Sequence, residues 1–193
     1  MNLTPELLLT AYSQGMFPMA HQDGQIYWYS PDPRAILPLD RLRTSRSLFR
    51  LIHSGKYLVR FDSAFTDVMV ACAAPGPGRE TTWISDEIVE AYTMLHELGF
   101  AHSVEVWSDE ELVGGLYGVA LRGLFAGESM FSGRPNTSKV ALYYLVRHLR
   151  ARGFTLLDVQ FQTPHLARLG AIEVSMARYR DLRHQAMAIS ASF

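Results

Sequence analysis

The chain has 193 residues, 48% of them hydrophobic and 19% charged, with a formal net charge of −1. That length suits one compact domain with a small appendage, and the composition is that of a globular chain rather than a disordered one. Near-neutrality argues against a protein that coats nucleic acid, no apolar run approaches the roughly 18 residues of a membrane span, and the start lacks the order of a secretory signal, so a cytoplasmic protein with no membrane partner is expected.

Thr4-Pro5-Glu6 reads as N-cap, N1 proline and early acid of a short helix that Gly15 ends. A polar turn from His21 to Gln25 leads into a strand, Ile26 to Ser30, which Pro31-Asp32-Pro33 stops. We place a boundary there, with a small N-terminal lobe over residues 1–33 and the main domain over 34–193. Thr44 or Ser45 can cap a helix to about Ser54, and a second helix covers Ser63 to Ala73 before a Pro75-Gly76-Pro77-Gly78 loop. In that second helix Cys72, the single cysteine, lies among apolar neighbours and reads as a buried thiol. Ser85-Asp86-Glu87 opens a third helix that Gly99 ends. Ser103 to Trp107, Glu111 to Tyr117 and Gly123 to Phe131 read as a strand meander, followed by a helix from Asn136 to Arg150, a strand from Thr155 to Gln160 and a last helix from Ser175 to Met187.

This order predicts an α+β protein in which the strand before the crossover helix and the strand after it run parallel. It is similar to a GNAT-like acyltransferase domain, a mixed sheet flanked by helices, joined here to the small N-terminal lobe.

Three sets of residues carry chemical signals. Glu128, in Phe125-Ala126-Gly127-Glu128-Ser129-Met130, shares a strand face with Ala126 and Met130 if alternation holds. It either reaches water at an edge or is a desolvated carboxylate that orients an amino or cationic group. Asp158 and Gln160 share one strand face while Leu157 and Val159 take the other, and the topology sets this strand beside that of Glu128. Arg43, Arg46 and Arg50, at i, i+3 and i+7, form a basic helical face, ordinarily a solvated one. The seven histidines are scattered without ligand spacing, so no metal centre is expected.

The chain resembles the leucyl/phenylalanyl-tRNA-protein transferases through an ordered set of motifs. These include Gly15-Met16-Phe17-Pro18, Trp28-Tyr29-Ser30-Pro31-Asp32-Pro33-Arg34, Thr82-Trp83-Ile84, Leu112-Val113-Gly114-Gly115-Leu116-Tyr117-Gly118, Gly127-Glu128-Ser129-Met130-Phe131-Ser132, Ser138-Lys139, Asp158-Val159-Gln160 and Leu169-Gly170-Ala171. The resemblance implies transfer of leucine, phenylalanine or methionine from aminoacyl-tRNA to proteins that begin with Arg or Lys, marking them for degradation. It implies no cofactor. It further implies that Gln160 takes part in deprotonating the acceptor while Asp158 polarises it, and that Glu128 holds the acceptor's amino end; because an amide has negligible basicity, we read Gln160 as a positioner, with Asp158 or bulk water as the proton sink. Leu116, Phe125, Leu142, Leu145, Leu149 and Leu157 correspond to an apolar amino-acid pocket, although core packing explains their periodicity equally. Trp83 matches a residue that stacks on the terminal adenine, and Met19 stands at the second stacking position. Similar basic residues in the family contact the tRNA backbone; Arg46 and Arg50 align best with them, and Arg43 joins them by spacing.

Two other readings stay open. A small-molecule acetyltransferase would need a glycine-rich pyrophosphate loop, where Ser132-Gly133-Arg134-Pro135-Asn136-Thr137 has one glycine and a proline. A non-catalytic tRNA-binding module would keep the basic face without needing Asp158 and Gln160.

Overall fold

The computed structural model describes residues 3–75 and 82–193. In chain order the elements are α1 (Pro5–Gln14), β1 (Phe17–Ala20), β2 (Ile26–Tyr29), β3 (Arg34–Ile36), α2 (Arg46–Ile52), β4 (Leu58–Phe61), α3 (Phe65–Ala73), α4 (Asp86–Glu97), β5 (Ala101–Ser108), β6 (Glu111–Leu121), β7 (Leu124–Ser132), α5 (Thr137–Ala151), β8 (Leu156–Gln160), α6 (Pro164–Leu169), β9 (Ile172–Val174) and α7 (Met176–Met187). The capping residues act as their chemistry requires: the hydroxyls of Thr4, Ser45, Ser85 and Ser175 accept from backbone N–H groups of the first turns of α1, α2, α4 and α7. Gly15 closes α1 in the left-handed region at φ 82°. The Pro-Gly loop expected after α3 lies, from Gly76 on, outside the described residues.

A seven-stranded mixed sheet runs in the order β4-β5-β6-β7-β8-β3-β9, and β1 and β2 form a separate antiparallel pair. The expected antiparallel meander is β5-β6-β7, α5 is the crossover, and β8 returns parallel to β7. This is the GNAT-like order anticipated above. One apolar core lies on the α5 side, with Leu116, Leu142, Leu145, Leu149 and Leu157. A second lies on the α1, α3 and α4 side, with Leu8, Tyr12, Phe17, Cys72, Ile88, Tyr92 and Tyr117. Among the described residues no helix is long and apolar enough to cross a membrane.

Two irregularities position the site. β7 and β8 pair only through Leu124↔Leu156, Phe125↔Leu157 and Ala126↔Asp158, while β7 continues to Ser132 along β6. Beyond Ala126 and Asp158 the two strands no longer pair, which leaves space between them. The register of β7 on β6 also slips, since Tyr117 faces Ser129 but Gly118 faces Gly127, so Glu128 is the extra residue of a β-bulge. The bulge breaks the alternation expected for this strand. Ala126 packs into the second core and Met130 against the first, so Glu128 does not share one apolar face with both. Gly118 suits the bulge because a Cβ there would stand 2.3 Å from the Ala126 carbonyl oxygen.

Candidate active site

Asp158 is buried, and each of its oxygens is fully used. Oδ1 accepts from Arg34 Nε at 2.9 Å and from the Gln160 backbone N–H at 2.9 Å; Oδ2 accepts from Arg34 Nη2 at 2.6 Å and from the Tyr179 hydroxyl at 2.7 Å. Arg34 and Asp158 are each only 1% exposed. A charge pair that has left water needs this fork geometry and these extra donors to hold. The guanidinium also lies against the rings of Phe17 and Tyr179, 4.8 and 4.6 Å from their centroids, and its Nη1 donates to the Gly15 carbonyl at 3.1 Å. Burial, with the Asp158 charge adding to it, pushes the Tyr179 hydroxyl up, so it stays a neutral donor. In the sequence Arg34 stands within a motif and has no assigned role. The signal was a lone cation after Pro31-Asp32-Pro33, and its partner 124 residues away is visible only in three dimensions.

Gln160 sits at φ 64°, the left-handed region that non-glycine residues seldom occupy. Its backbone is held there by Asp158, and its side-chain amide donates to Glu128 Oε1 at 2.8 Å. Asp158 therefore reaches Gln160 through the backbone N–H, whereas the amide side chain serves Glu128. The second carboxylate is the opposite of the first. Glu128 Oε2 is shut off from solvent and has no hydrogen-bond partner among the described residues. Near it lie Tyr12 and Tyr92, whose hydroxyls hydrogen-bond each other, and Tyr117, whose hydroxyl is likewise unpartnered. Burial, reinforced by the Asp158 charge, pushes Glu128 up to about 8 against the opposing influence of Tyr12, Arg34 and Gln160. Burial and then the Glu128 charge also hold the three tyrosines well above their ordinary range, so they remain neutral.

Glu128 also borders a cavity of about 240 Å³ in the gap between β7 and β8. Leu116, Leu142, Leu145 and Leu157 line it, together with Met130 and Val159, which carry no assignment in the sequence analysis. An apolar cavity of about 150 Å³ accommodates a benzene ring, so this one accommodates an isobutyl or benzyl group. Phe125 and Leu149 do not line it. Both are fully buried in the core, and Phe125 stacks on Phe193 with centroids 5.5 Å apart. Their helical or strand spacing resembles that of the lining residues, but they lie farther from the gap.

Trp83 and Met19 are both half-buried against the second core, and the Ala20 N–H donates to the Trp83 carbonyl at 3.1 Å, which ties the two segments together. Arg46 and Arg50 are exposed on α2 and border a shallow cleft with Thr44 and Phe49. Arg43 is exposed but precedes the Ser45 cap, and its backbone N–H donates to Leu169 at 2.8 Å. The expected three-arginine helical face is thus a pair, because the helix begins at Arg46 and Arg43 belongs to the connection that docks on α6.

Fold and site together define a transferase of acyl groups: a crossover helix and a diverging strand pair enclose an apolar cavity, with a carboxylate and an amide at its edge. The chain belongs to the leucyl/phenylalanyl-tRNA protein transferase family, whose sequence profile matches residues 36–184 and whose N-terminal-domain profile matches residues 1–32. It is 56% identical to a leucyl/phenylalanyl-tRNA–protein transferase of Herpetosiphon aurantiacus, over 99% of this chain and 98% of that one. It is 53% identical to one from Gluconobacter oxydans, over 98% of this chain and 85% of that one. Among solved structures it is similar to a GCN5-related N-acetyltransferase from Kribbella flavida, at 11% identity and a TM-score of 0.47, over 89% of this chain and 61% of that one. It is also similar to the structure of L-PGS from Bacillus licheniformis, at 14% identity and a TM-score of 0.48, over 79% of this chain and 56% of that one. The chain therefore spans less than two thirds of either solved chain.

Two outcomes follow from the carboxylates. Arg34→Met strands a buried charge and is expected to cost about 3–5 kcal/mol in urea unfolding, part of which Arg34→Met with Asp158→Asn recovers; a cost under about 1 kcal/mol would mean that the pair is dispensable. For Glu128 the folded-state value of about 8 lies above the ordinary 4.5, so the neutral form is the one the fold favours. Its contribution to stability is complete below about pH 4 and is lost as pH rises through about 8. Glu128→Gln does not ionise, so the melting temperature of the variant minus that of the parent should increase from pH 5 to pH 9, and a flat difference would contradict the assignment.

Proposed function

We propose that the protein transfers leucine or phenylalanine, and also methionine, from aminoacyl-tRNA to the α-amino group of proteins that begin with Arg or Lys, which marks them for degradation. The observation that carries this reading is the apolar cavity bordered by Glu128, itself held by Gln160, in a chain of this family. The cavity takes the donor's side chain, and Trp83 with Met19 takes the adenine.

The reaction is aminolysis of an ester: the acceptor's ammonium loses a proton, the amine attacks the carbonyl carbon, and the terminal 3′-hydroxyl leaves with a proton. Asp158 is the wrong proton acceptor because four donors already occupy it. Its work is to hold Gln160 in the left-handed conformation. Gln160 is an amide without useful basicity and acts as a positioner of Glu128. Glu128, pushed up by burial and with Oε2 unpartnered among the described residues, is the carboxylate of the site with capacity to take the acceptor's proton. An ammonium brought to the cavity beside Glu128 supplies the opposite charge that the buried carboxylate lacks and favours its ionised form. The same proton, returned from Glu128, serves the departing 3′-oxygen. Arg46 and Arg50 contact the tRNA backbone, and Arg43 adds its charge from the adjoining connection.

Incubation with radiolabelled leucyl-tRNA and an Arg-initiated polypeptide should put label at the polypeptide's N-terminus; the absence of transfer beside an active control would sink the reading. In the same assay Leu145→Trp fills the cavity and should depress transfer of phenylalanine more than of leucine, by about tenfold in the ratio of kcat/KM, which is the scale on which apolar pockets discriminate. Equal losses would show that Leu145 does not shape the donor pocket.

A further inference from the structure

An imidazole at the cavity wall and two cations beside it have no role in the reaction as described. His165, on the first turn of α6, lines the cavity beside Thr163 and Leu166. Lys139 stands on the first turn of α5, three residues before the cavity-lining Leu142, so helical spacing sets it at the outer end of the same stripe. Arg168 follows His165 by three residues on α6, on the same side of that helix. Lys139 is half-buried and its Nζ is held by the neutral Asn136 Oδ1 at 2.8 Å, while Arg168 is exposed. Among the described residues neither is ion-paired. Burial and then the charges of Lys139 and Arg168 hold the His165 imidazole below its ordinary value, so the three groups feel one another across a shared space. Lys139 and Arg168 put two positive charges on one edge of an apolar cavity and keep the imidazole beside them neutral, so an anion entering there is attracted by both cations and lets the imidazole take up a proton. The start of α5 adds the positive end of its helix dipole on the same side.

The chemistry of the reactants identifies that anion. An acceptor that begins with Arg or Lys is cationic and is repelled here, and the donor's amino acid has no free carboxylate because it is esterified. Going outward from the cavity, the first negative charge on the donor is the phosphodiester one ribose away from the ester. We propose that Lys139, His165 and Arg168 form a phosphate-binding rim that holds the phosphodiester between the donor's last two nucleotides. This rests on the reading of the cavity as the aminoacyl pocket. It assigns the donor's end a second anchor, distinct from Arg46 and Arg50, which serve the tRNA body. A phosphate pinned at the rim fixes the ribose and hence the depth at which the ester carbonyl stops beside Glu128.

The test compares two unreactive donor analogues in which an amide replaces the ester: leucylamido-adenosine, and the same nucleoside carrying a 5′-cytidylyl phosphodiester. Calorimetry with the unsubstituted protein should give about tenfold tighter binding of the dinucleotide, and this advantage should fall as salt is raised. In the variant carrying Lys139→Gln and Arg168→Gln the advantage should shrink to about twofold or less, with the nucleoside analogue bound as before, while Lys139→Arg alone should keep it. Three results would overturn the rim: no advantage in the unsubstituted protein, an advantage that survives in the double variant, or an equal loss for the nucleoside analogue. If the unsubstituted protein binds neither analogue, the reading of the cavity itself fails, and the rim with it.

Discussion

The fork between Arg34 and Asp158 is the interaction on which the arrangement of this protein depends. Both groups are buried, so each would be costly without the other, and only one relative placement of their chains satisfies both. Through Gly15, Phe17 and Tyr179, the same guanidinium connects the end of α1, the first strand of the N-terminal hairpin, β3, β8 and α7. A buried pair of this kind adds little net stability over well-packed apolar residues. What it supplies is position: the segment that precedes the large sheet is pinned to the strand end that carries the site.

That pairing also separates the roles of the two carboxylates. Asp158 is satisfied by four donors and has nothing left to offer a substrate. Glu128, placed at a bulge and surrounded by neutral tyrosines, is held at one oxygen by Gln160, and its other oxygen faces the Tyr12 side without a well-formed hydrogen bond among the described residues. A buried carboxylate in that state gains from the arrival of an ammonium, which is the group the acceptor brings. The polar edge of the cavity and its apolar interior share one origin. Where β7 and β8 stop pairing, the backbone leaves room for a side chain, and the residues at the point of divergence face that room.

Much of the fold was legible in the residues. The caps at Thr4, Ser45, Ser85 and Ser175, the helical spacing of apolar residues and the alternation in the meander are local signals, and the helices and long strands followed from them. The short strands β1, β3, β4 and β9 were not seen, because segments of three or four residues have no periodicity of their own and are strands only through their partners. Arg34 went unassigned for the same reason, since β3 exists by pairing with β8 and β9. Arg43 was grouped with Arg46 and Arg50 on spacing alone, although a cap at Thr44 or Ser45 leaves it before the helix, and Phe125 and Leu149 were grouped with the cavity because core and cavity residues share one periodicity.

The sequence by itself determined the α+β order, the parallel return after the crossover helix and the membership of the family. These depend on local propensity, on chain connectivity or on an ordered set of motifs, all of which are written along the chain. Only the tertiary structure decided which carboxylate is locked and which is free, where the bulge turns Glu128, and which leucines border space rather than neighbours. Those outcomes depend on contacts between residues that are distant in the chain, Arg34 with Asp158 and Glu128 with Gln160, whose geometry no stretch of sequence contains.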